Sequence, residues 1–428
     1  MHVDEISRIN EFRQMRKEVR GSEKYLLVGI DIAKESHHAF YGTATGKALL
    51  RRLVFKNSNE GFNKLIDMTY VLKTRHGLEK VVYGLEPTAS YHKPLGETLI
   101  KCGCNVVQVS GAAITKNREL LDGRWDKNDD KDAANVADLI SQGKCQYYDY
   151  PPVEMRDLRN LLSLKRMLKK QEHRMKTRIR NNLIAQYFPE FDSHFAKGCS
   201  ESLAIVKWCL KPREIAFMEY EEFEQLVAPR VRTMSQAKRL RDIWDDALLS
   251  IGCEAGEAMQ FEGKLMVEDL ENIKASIKAV DDQIKGICLG YPEYKYLMSI
   301  PGFGPDISSK VLGAISNPFR FDNGKQVLKL AGLDLNASRS GKPSDRAIPK
   351  ISKRGKAHLR YALYQAAHIA STSNKYFMLY YTNQLRGRER EKGIKTKMKV
   401  KLAAKMLIIA WTLMKKKEPF DPAYLKID

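Results

Sequence analysis

The chain has 428 residues, 43% of them hydrophobic, with 73 Lys and Arg against 52 Asp and Glu and a formal net charge of +21. This hydrophobic content excludes an intrinsically disordered chain, and the length suffices for two or three domains with cores of their own. The basic excess argues for a polyanionic partner, because neutralising phosphates releases condensed counterions.

Residues 1–22 are polar and read as a helical or loose leader without an apolar signal core. The run YLLVGIDI at 25–32 is of the kind that forms a buried strand. Two further strands are expected at 38–43 and 49–55, with a glycine-containing turn between them. Phe62, Leu65, Met68 and Leu72 then fall at helical spacing. A strand at 80–86, a helix from 91, a strand at 105–110 and a helix at 131–141 complete this region. Three meandering strands followed by crossovers predict a mixed sheet with helices on its faces, an α/β domain over residues 24–148.

Residues 155–184 are helical and very basic, and Pro189 ends them. Residues 191–261 read as a helical insertion. Met266, Leu270, Ile273, Ile277, Val280, Ile284 and Ile287 alternate in steps of four and three, a heptad seam. The two long helices are expected either to pair with each other, as a plain hairpin, or to pair with a second subunit. Residues 149–290 thus form a helical, coiled-coil middle, and 291–428 a mainly helical third segment. The apolar stretch at 406–414 is too short to span a bilayer, so a buried helix and no membrane partner are expected. Seven cysteines without a CxxC pair give no zinc site or disulfide framework and fit a reducing cytoplasm.

Four acids stand at element ends. Asp31 closes the first strand, Glu86 the fourth, and Asp129 and Asp132 enter a helix, three residues apart on one face. The carboxyl ends of neighbouring central strands lie side by side, so Asp31 and Glu86 are expected to be close. Carboxylates gathered this way repel one another and call for a hard cation, Mg²⁺ or alternatively Mn²⁺. Two such ions about 4 Å apart stabilise both oxygens of a phosphoryl transfer. The competing reading is that these are surface acids and helix caps. Asp130 is a further acid beside Asp129.

In the third segment, SIPGFGPDISSKVL at 299–312 is a turn between two helical stretches. Gly302 and Gly304 would let its backbone N–H groups face a phosphate, as in helix-hairpin-helix elements, or merely make a tight turn. A polar loop follows, with Ser338, Ser340 and Ser344 among Arg339, Lys342 and Arg346. Lys353, Arg354, Lys356 and Arg360 in ISKRGKAHLR are expected to contact backbone phosphates. A serine needs activation to act as a nucleophile, and such loops are common without catalysis.

GIDIAKESH, GLEPTASYH and KNDDKDAANVADLI resemble the DEDD transposases of the insertion-sequence 110 family. The strand order and the four acids resemble a RuvC/RNase-H-like nuclease core. The family's last motif selects Asp129 over Asp130. AGLDLNASRSG followed by ISKRGKAHLR resembles the family's C-terminal transposase domain. There the serine before the glycine is the nucleophile, which maps to Ser340; the family's frequent Asn after the later glycine is Lys356 here. The resemblance implies a transposase that cuts and rejoins DNA through a transient phosphoserine at Ser340. Asp31, Glu86, Asp129 and Asp132 would hold the metal. It further implies a homo-oligomer, dimer or tetramer, and a structured non-coding guide RNA. Two rivals stand beside it: a metal-dependent junction nuclease without serine chemistry, and a non-catalytic nucleic-acid-binding protein.

Overall fold

The computed structural model describes residues 5–122, 129–195, 200–208, 211–228, 233–336 and 350–425, with the side chains at 120–122, 129–130, 200–201 and 208 left out of that description. The chain divides into two compact units.

The first unit comprises residues 1–152 and 317–326. It contains β1 (Tyr25–Asp31), β2 (Ser36–Thr43), β3 (Ala48–Lys56), β4 (Lys80–Leu85), β5 (Asn105–Gln108) and β6 (Gln146–Tyr147), in the spatial order β3-β2-β1-β4-β5-β6. β1, β4 and β5 run parallel; β2, β3 and β6 pair antiparallel to their neighbours. The helices are α1 (Glu5–Glu18), α2 (Asn59–Arg75), α3 (His92–Lys101), α4 (Gly111–Asp122) and α5 (Asp129–Ser141). Every residue of β1 is buried, which explains a continuous apolar run where a one-sided strand would alternate. Its side chains nevertheless divide by the two-residue period of a strand. Leu26, Val28 and Ile30 join the core with Phe62 and Leu65 of α2 and Leu95 and Leu99 of α3. Tyr25 and Leu27 join Phe12 and Met15 of α1 and Val136 and Ile140 of α5 on the opposite face.

The polar leader is therefore no loose tail over α1: Ile9, Phe12 and Met15 bury one stripe of it. Residues 317–326 belong to the same unit, tied down by Arg320 Nη1 at 2.6 Å from Asp149 Oδ2 and by Arg13 donating to the Phe319 carbonyl at 2.9 Å. At the centre of the sheet two glycines admit α5. A Cβ on Gly29 of β1 would lie 2.1 Å from the Ala133 carbonyl oxygen, and one on Gly84 of β4 would lie 2.2 Å from Ile140 Cδ1.

The second unit comprises residues 153–316 and 327–428. α6 (Val153–Arg178) runs into a π-helical turn (Ile179–Ile184), followed by α7 (Ala185–Tyr187), α8 (Asp192–Phe195), α9 (Ser200–Trp208), α10 (Pro212–Ala216), α11 (Tyr220–Val227), α12 (Met234–Leu248) and α13 (Glu257–Leu289). α6 and α13 pack along one another. Met266, Leu270, Ile277, Val280 and Ile284 of the expected seam are buried; Ile273 and Ile287 are half-buried. The insertion folds onto the first half of α13, where Phe191, Phe223, Leu240 and Ile243 share a core with Met266 and Leu270. The remaining elements are α14 (Pro292–Met298), α15 (Pro305–Ile315), α16 (Gly324–Ala331), β7 (Leu335–Asn336), β8 (Lys350–Ile351), α17 (Ala357–Ser373), α18 (Lys375–Leu385) and α19 (Ile394–Lys416). No described helix is long and apolar enough to cross a membrane.

Some of the basic charge of α6 is structural. Leu158, Leu161, Lys165, Leu168, Glu172, Met175 and Ile179 form its own seam by spacing, and Glu172 is buried there, bonded by Lys169 and Lys176 at 2.9 and 2.8 Å. Lys165 Nζ lies 2.6 Å from both Asp281 of α13 and Asp306 of α15. Burial alone would raise the Asp306 carboxyl, but the ammonium groups of Lys165 and Lys310 outweigh it and hold it below its ordinary value of 3.8. A carboxyl lowered on folding stabilises the fold fully above that ordinary value, and this contribution is lost as the pH falls through the lowered one. Asp306→Asn is expected to lower stability near neutral pH and to flatten the acid branch below about pH 4, measured as urea midpoints across pH. An acid branch as steep as the wild type's would refute the assignment.

Candidate carboxylate site and the serine-bearing loop

Asp31 is the last residue of β1, 7% exposed, opposite His38 of β2. Ile30 and Leu85 are in register on the parallel strands β1 and β4. Glu86 follows Leu85, and its N–H donates to the Ile30 carbonyl at 3.3 Å. The two acids thus occupy the carboxyl ends of adjacent parallel strands. Gly111 begins α4 against Glu86: a Cβ there would lie 2.6 Å from Glu86 Oε1. The turn after Asp31 is fixed by Ala33 N–H donating to His37 Nδ1 at 3.2 Å. Burial pushes the His37 imidazole below its ordinary value, so it sits there neutral.

Asp132 lies in the first turn of α5, where the helix meets Gly29, and is 1% exposed. Its Oδ1 accepts from Arg118 Nε at 2.9 Å and from Arg118 Nη2 at 2.5 Å. Its Oδ2 is buried with no hydrogen-bond partner. α4 and α5 are further locked by Asn117 Nδ2 donating to Asn135 Oδ1 at 3.1 Å and to Asp138 Oδ2 at 2.8 Å. Sequence reading passed over α4 as a polar stretch, and nothing singled out Arg118 among 73 cations. Among the described residues, no group of three or more His, Cys, Asp or Glu is placed to hold a metal ion. Asp129 begins α5, but its side chain and that of Asp130 lie outside the described residues.

An orphaned carboxylate oxygen in the interior is costly without a donor or a cation. Asp132 Oδ2 therefore fits a hard ion, and Asp31 and Glu86 are oxygen-donor residue types at the ends of the adjacent strands β1 and β4.

Ser340, with Ser338, Arg339, Lys342, Ser344 and Arg346, lies outside the described residues, in 337–349. The base of that loop is described. β7 and β8 pair antiparallel, Leu335 with Ile351 and Asn336 with Lys350. Ser352 donates to Asp334 Oδ1 at 2.5 Å. Lys353 adopts a positive φ of 56°, and its N–H donates to the Gly332 carbonyl at 3.1 Å. A Cβ on Gly355 would lie 2.4 Å from Gly332 N and 2.7 Å from the Leu330 carbonyl oxygen, so only glycine fits this crossing.

Residues 28–189 match a DEDD-type IS110 model described as a transposase, and residues 294–382 match a model described as the transposase IS116/IS110/IS902 family. The chain belongs to the IS110 family of transposases. A Streptomyces coelicolor relative, called insertion element IS110 uncharacterized 43.6 kDa protein, is 23% identical over 371 residues, covering 84% of this chain and 87% of that protein. The first matched stretch contains all four acids; the second contains Ser340 and the cations after it. A transposase acts on DNA, and the basic excess of this transposase suits that substrate.

Several of the transposase's expected nucleic-acid contacts have structural partners of their own. Gly302 has φ of 86°, and a Cβ there would lie 2.5 Å from the Ala366 carbonyl oxygen of α17. Close packing thus accounts for that glycine, whereas Gly304, which caps α15, has open space where its Cβ would be. Arg360 Nη1 donates to the Ala331 carbonyl at 2.8 Å, closing the end of α16. Lys353 and Arg354 are exposed. Lys356 stands at the N-cap of α17 and makes no side-chain cap hydrogen bond, whereas an Asn there would accept from the helix N–H groups.

Proposed function

We propose that this transposase cuts and rejoins DNA strands through a covalent phosphoserine at Ser340, supported by Mg²⁺ or Mn²⁺ on Asp31, Glu86, Asp129 and Asp132. The sheet is read as RuvC/RNase-H-like, with 24–148, 149–290 and 291–428 as its nuclease, coiled-coil and serine-bearing segments. Such an ion would supply charge stabilisation at the transferring phosphoryl oxygens. In the first step Ser340 Oγ bonds to the scissile phosphorus as one P–O bond of the strand breaks, releasing that strand end as a hydroxyl. In the second, the hydroxyl of another strand attacks the phosphoserine, restores a phosphodiester and frees the serine. Arg339 and Lys342 would steady the phosphate charge. A homo-oligomer working in the cytoplasm with a non-coding guide RNA completes the reading.

The observation that carries it is the buried, unpartnered Oδ2 of Asp132 at the helix entry packed over β1, whose end carries Asp31 beside Glu86. A plain helix cap or surface acid would be solvated or bonded.

The test is a denaturation-resistant adduct. Purified protein with its co-purifying RNA is incubated with Mg²⁺ and labelled DNA carrying the element's ends. An adduct is expected that disappears in Ser340→Ala while DNA binding persists. Cleavage without an adduct would give the reaction to water and sink the serine step. Strand exchange surviving in both Ser340→Ala and Asp31→Ala would sink the whole reading, and wild type that binds the DNA but neither cleaves nor exchanges it would favour a binding protein.

A further inference from the structure

We infer that the outward face of α12 docks, antiparallel and about a two-fold axis, on the same face of a second copy of this chain. The inference rests on the homo-oligomer of the proposed function and names a surface that two copies would share.

α12 belongs to the insertion, and Leu240, Ile243 and Ala247 bury one side of it in the insertion's core. On the other side Met234, Lys238, Arg241, Asp242, Asp245 and, at the C-cap, Leu249 are all exposed. At about 100° per residue, these six fall within about 50° of one line along the helix. Their order is apolar, two bases, two acids, apolar. Met234 and Leu249, Lys238 and Asp245, and Arg241 and Asp242 stand symmetrically about the midpoint between Arg241 and Asp242. Turned end for end, the face therefore meets itself with base on acid through its centre and apolar on apolar at both ends. An isologous two-fold contact requires such self-complementarity. Parallel pairing in register would set Lys238 on Lys238 and Asp245 on Asp245, so the charges also fix the orientation.

The competing use of these charges is pairing within the helix. Lys238 and Asp242, like Arg241 and Asp245, are four apart with the base first, which is the weaker order. Asp246, to one side of the face, meets His194 of its own chain at 3.1 Å instead. The Arg241 guanidinium is steadied from the side by Tyr220 and Trp244, 4.4 and 5.2 Å from their ring centroids. A solvated charged face also has no use for apolar ends, yet Met234 is 88% and Leu249 84% exposed. Exposed Ile251 follows Leu249, and exposed Phe217 adjoins Met218, whose carbonyl accepts from Trp244 at 3.1 Å. One pair of helices buries less than the roughly 1,000 Å² of a stable interface, and these flanking side chains supply apolar area to extend it.

Self-association of the full-length protein is measured by sedimentation across a concentration series. Lys238→Glu places acid on acid at two symmetry-related contacts, and Asp245→Lys places base on base. Each is expected to weaken self-association about tenfold. Lys238→Glu/Asp245→Lys in one chain restores opposite charges across the two-fold axis and is expected to regain wild-type association. The two positions lie about 10 Å apart along the helix, so the rescue cannot arise within one helix. Wild type that associates, with all three variants like it, overturns the α12 contact and leaves the homo-oligomer to another surface. Single variants that weaken, with the double variant no better, also overturn it, because lost folding or a different contact would give that pattern. Wild type that stays monomeric at every concentration, with and without RNA and DNA, overturns both the contact and the homo-oligomer. The adduct assay judges the strand chemistry separately in every case.

Discussion

Asp132→Asn is expected to lower DNA strand cleavage by about 10³-fold or more while leaving DNA binding in place. The substitution preserves shape and one oxygen acceptor for Arg118, so the α4–α5 contact survives in weakened form. It removes the charge from a carboxylate that keeps a buried oxygen without a hydrogen-bond partner at the entry of α5. Arg118 is 12% exposed and loses its counter-charge, so a stability loss of about 1–3 kcal/mol accompanies the change. A structural ion pair would show that loss too, and the metal separates the two roles. An ion that binds only the folded state stabilises it by about 2.7 kcal/mol at a hundred times its dissociation constant. Mg²⁺ should therefore raise the melting temperature of wild type and leave Asp132→Asn unmoved. Arg118→Leu gives the converse: it leaves a buried carboxylate without its cation, and Mg²⁺ should restore much of the stability lost. Mg²⁺ stabilising wild type and Asp132→Asn equally, with cleavage intact in the variant, would reduce Asp132 to a partner of Arg118.

Much of the first unit was legible in the sequence because its signals are local. A seven-residue buried strand reads as an apolar run whatever lies around it, and β1 to β5 fall within a few residues of their expected places. Asp31 and Glu86 could be placed side by side because the order of strands and helices constrains the crossovers. What escaped is held by long-range contacts. β6 is two residues long and exists by pairing with β5, and residues 317–326 join the first unit through partners more than 170 residues away. The insertion was legible only as helical, because its apolar residues share one core with α13, a contact that local spacing does not reveal. Lys165 and Glu172 show the opposite failure. They read as part of a very basic helix, yet by position they sit on its packing seam, where partners on neighbouring elements or turns satisfy them. The candidate site divides in the same way. Its acids announce themselves by type and by element end, whereas Arg118 is recognisable only once α4 is packed on α5.

Gly29→Ala is expected to destabilise the first unit by about 3–5 kcal/mol and to suppress strand cleavage with it. The added methyl would sit 2.1 Å from the Ala133 carbonyl oxygen and 2.6 Å from Ala137 N, both backbone atoms of α5. No side-chain rotation relieves that clash, so the helix must move away from β1 as a body, carrying Asp129 and Asp132 away from Asp31. Gly84→Ala provides the comparison on the next strand. There the methyl meets Ile140 Cδ1 at 2.2 Å and Val136 Cγ1 at 2.8 Å, side-chain ends that can partly repack. A cost of about 1–3 kcal/mol and a milder loss of cleavage are expected for that variant. Urea midpoints and single-turnover cleavage of the two variants, measured side by side, test the arrangement. If Gly29→Ala were as stable and as active as Gly84→Ala, α5 could not rest on β1 as closely as described. The proximity of Asp132 to the strand end that bears Asp31 would fall with it.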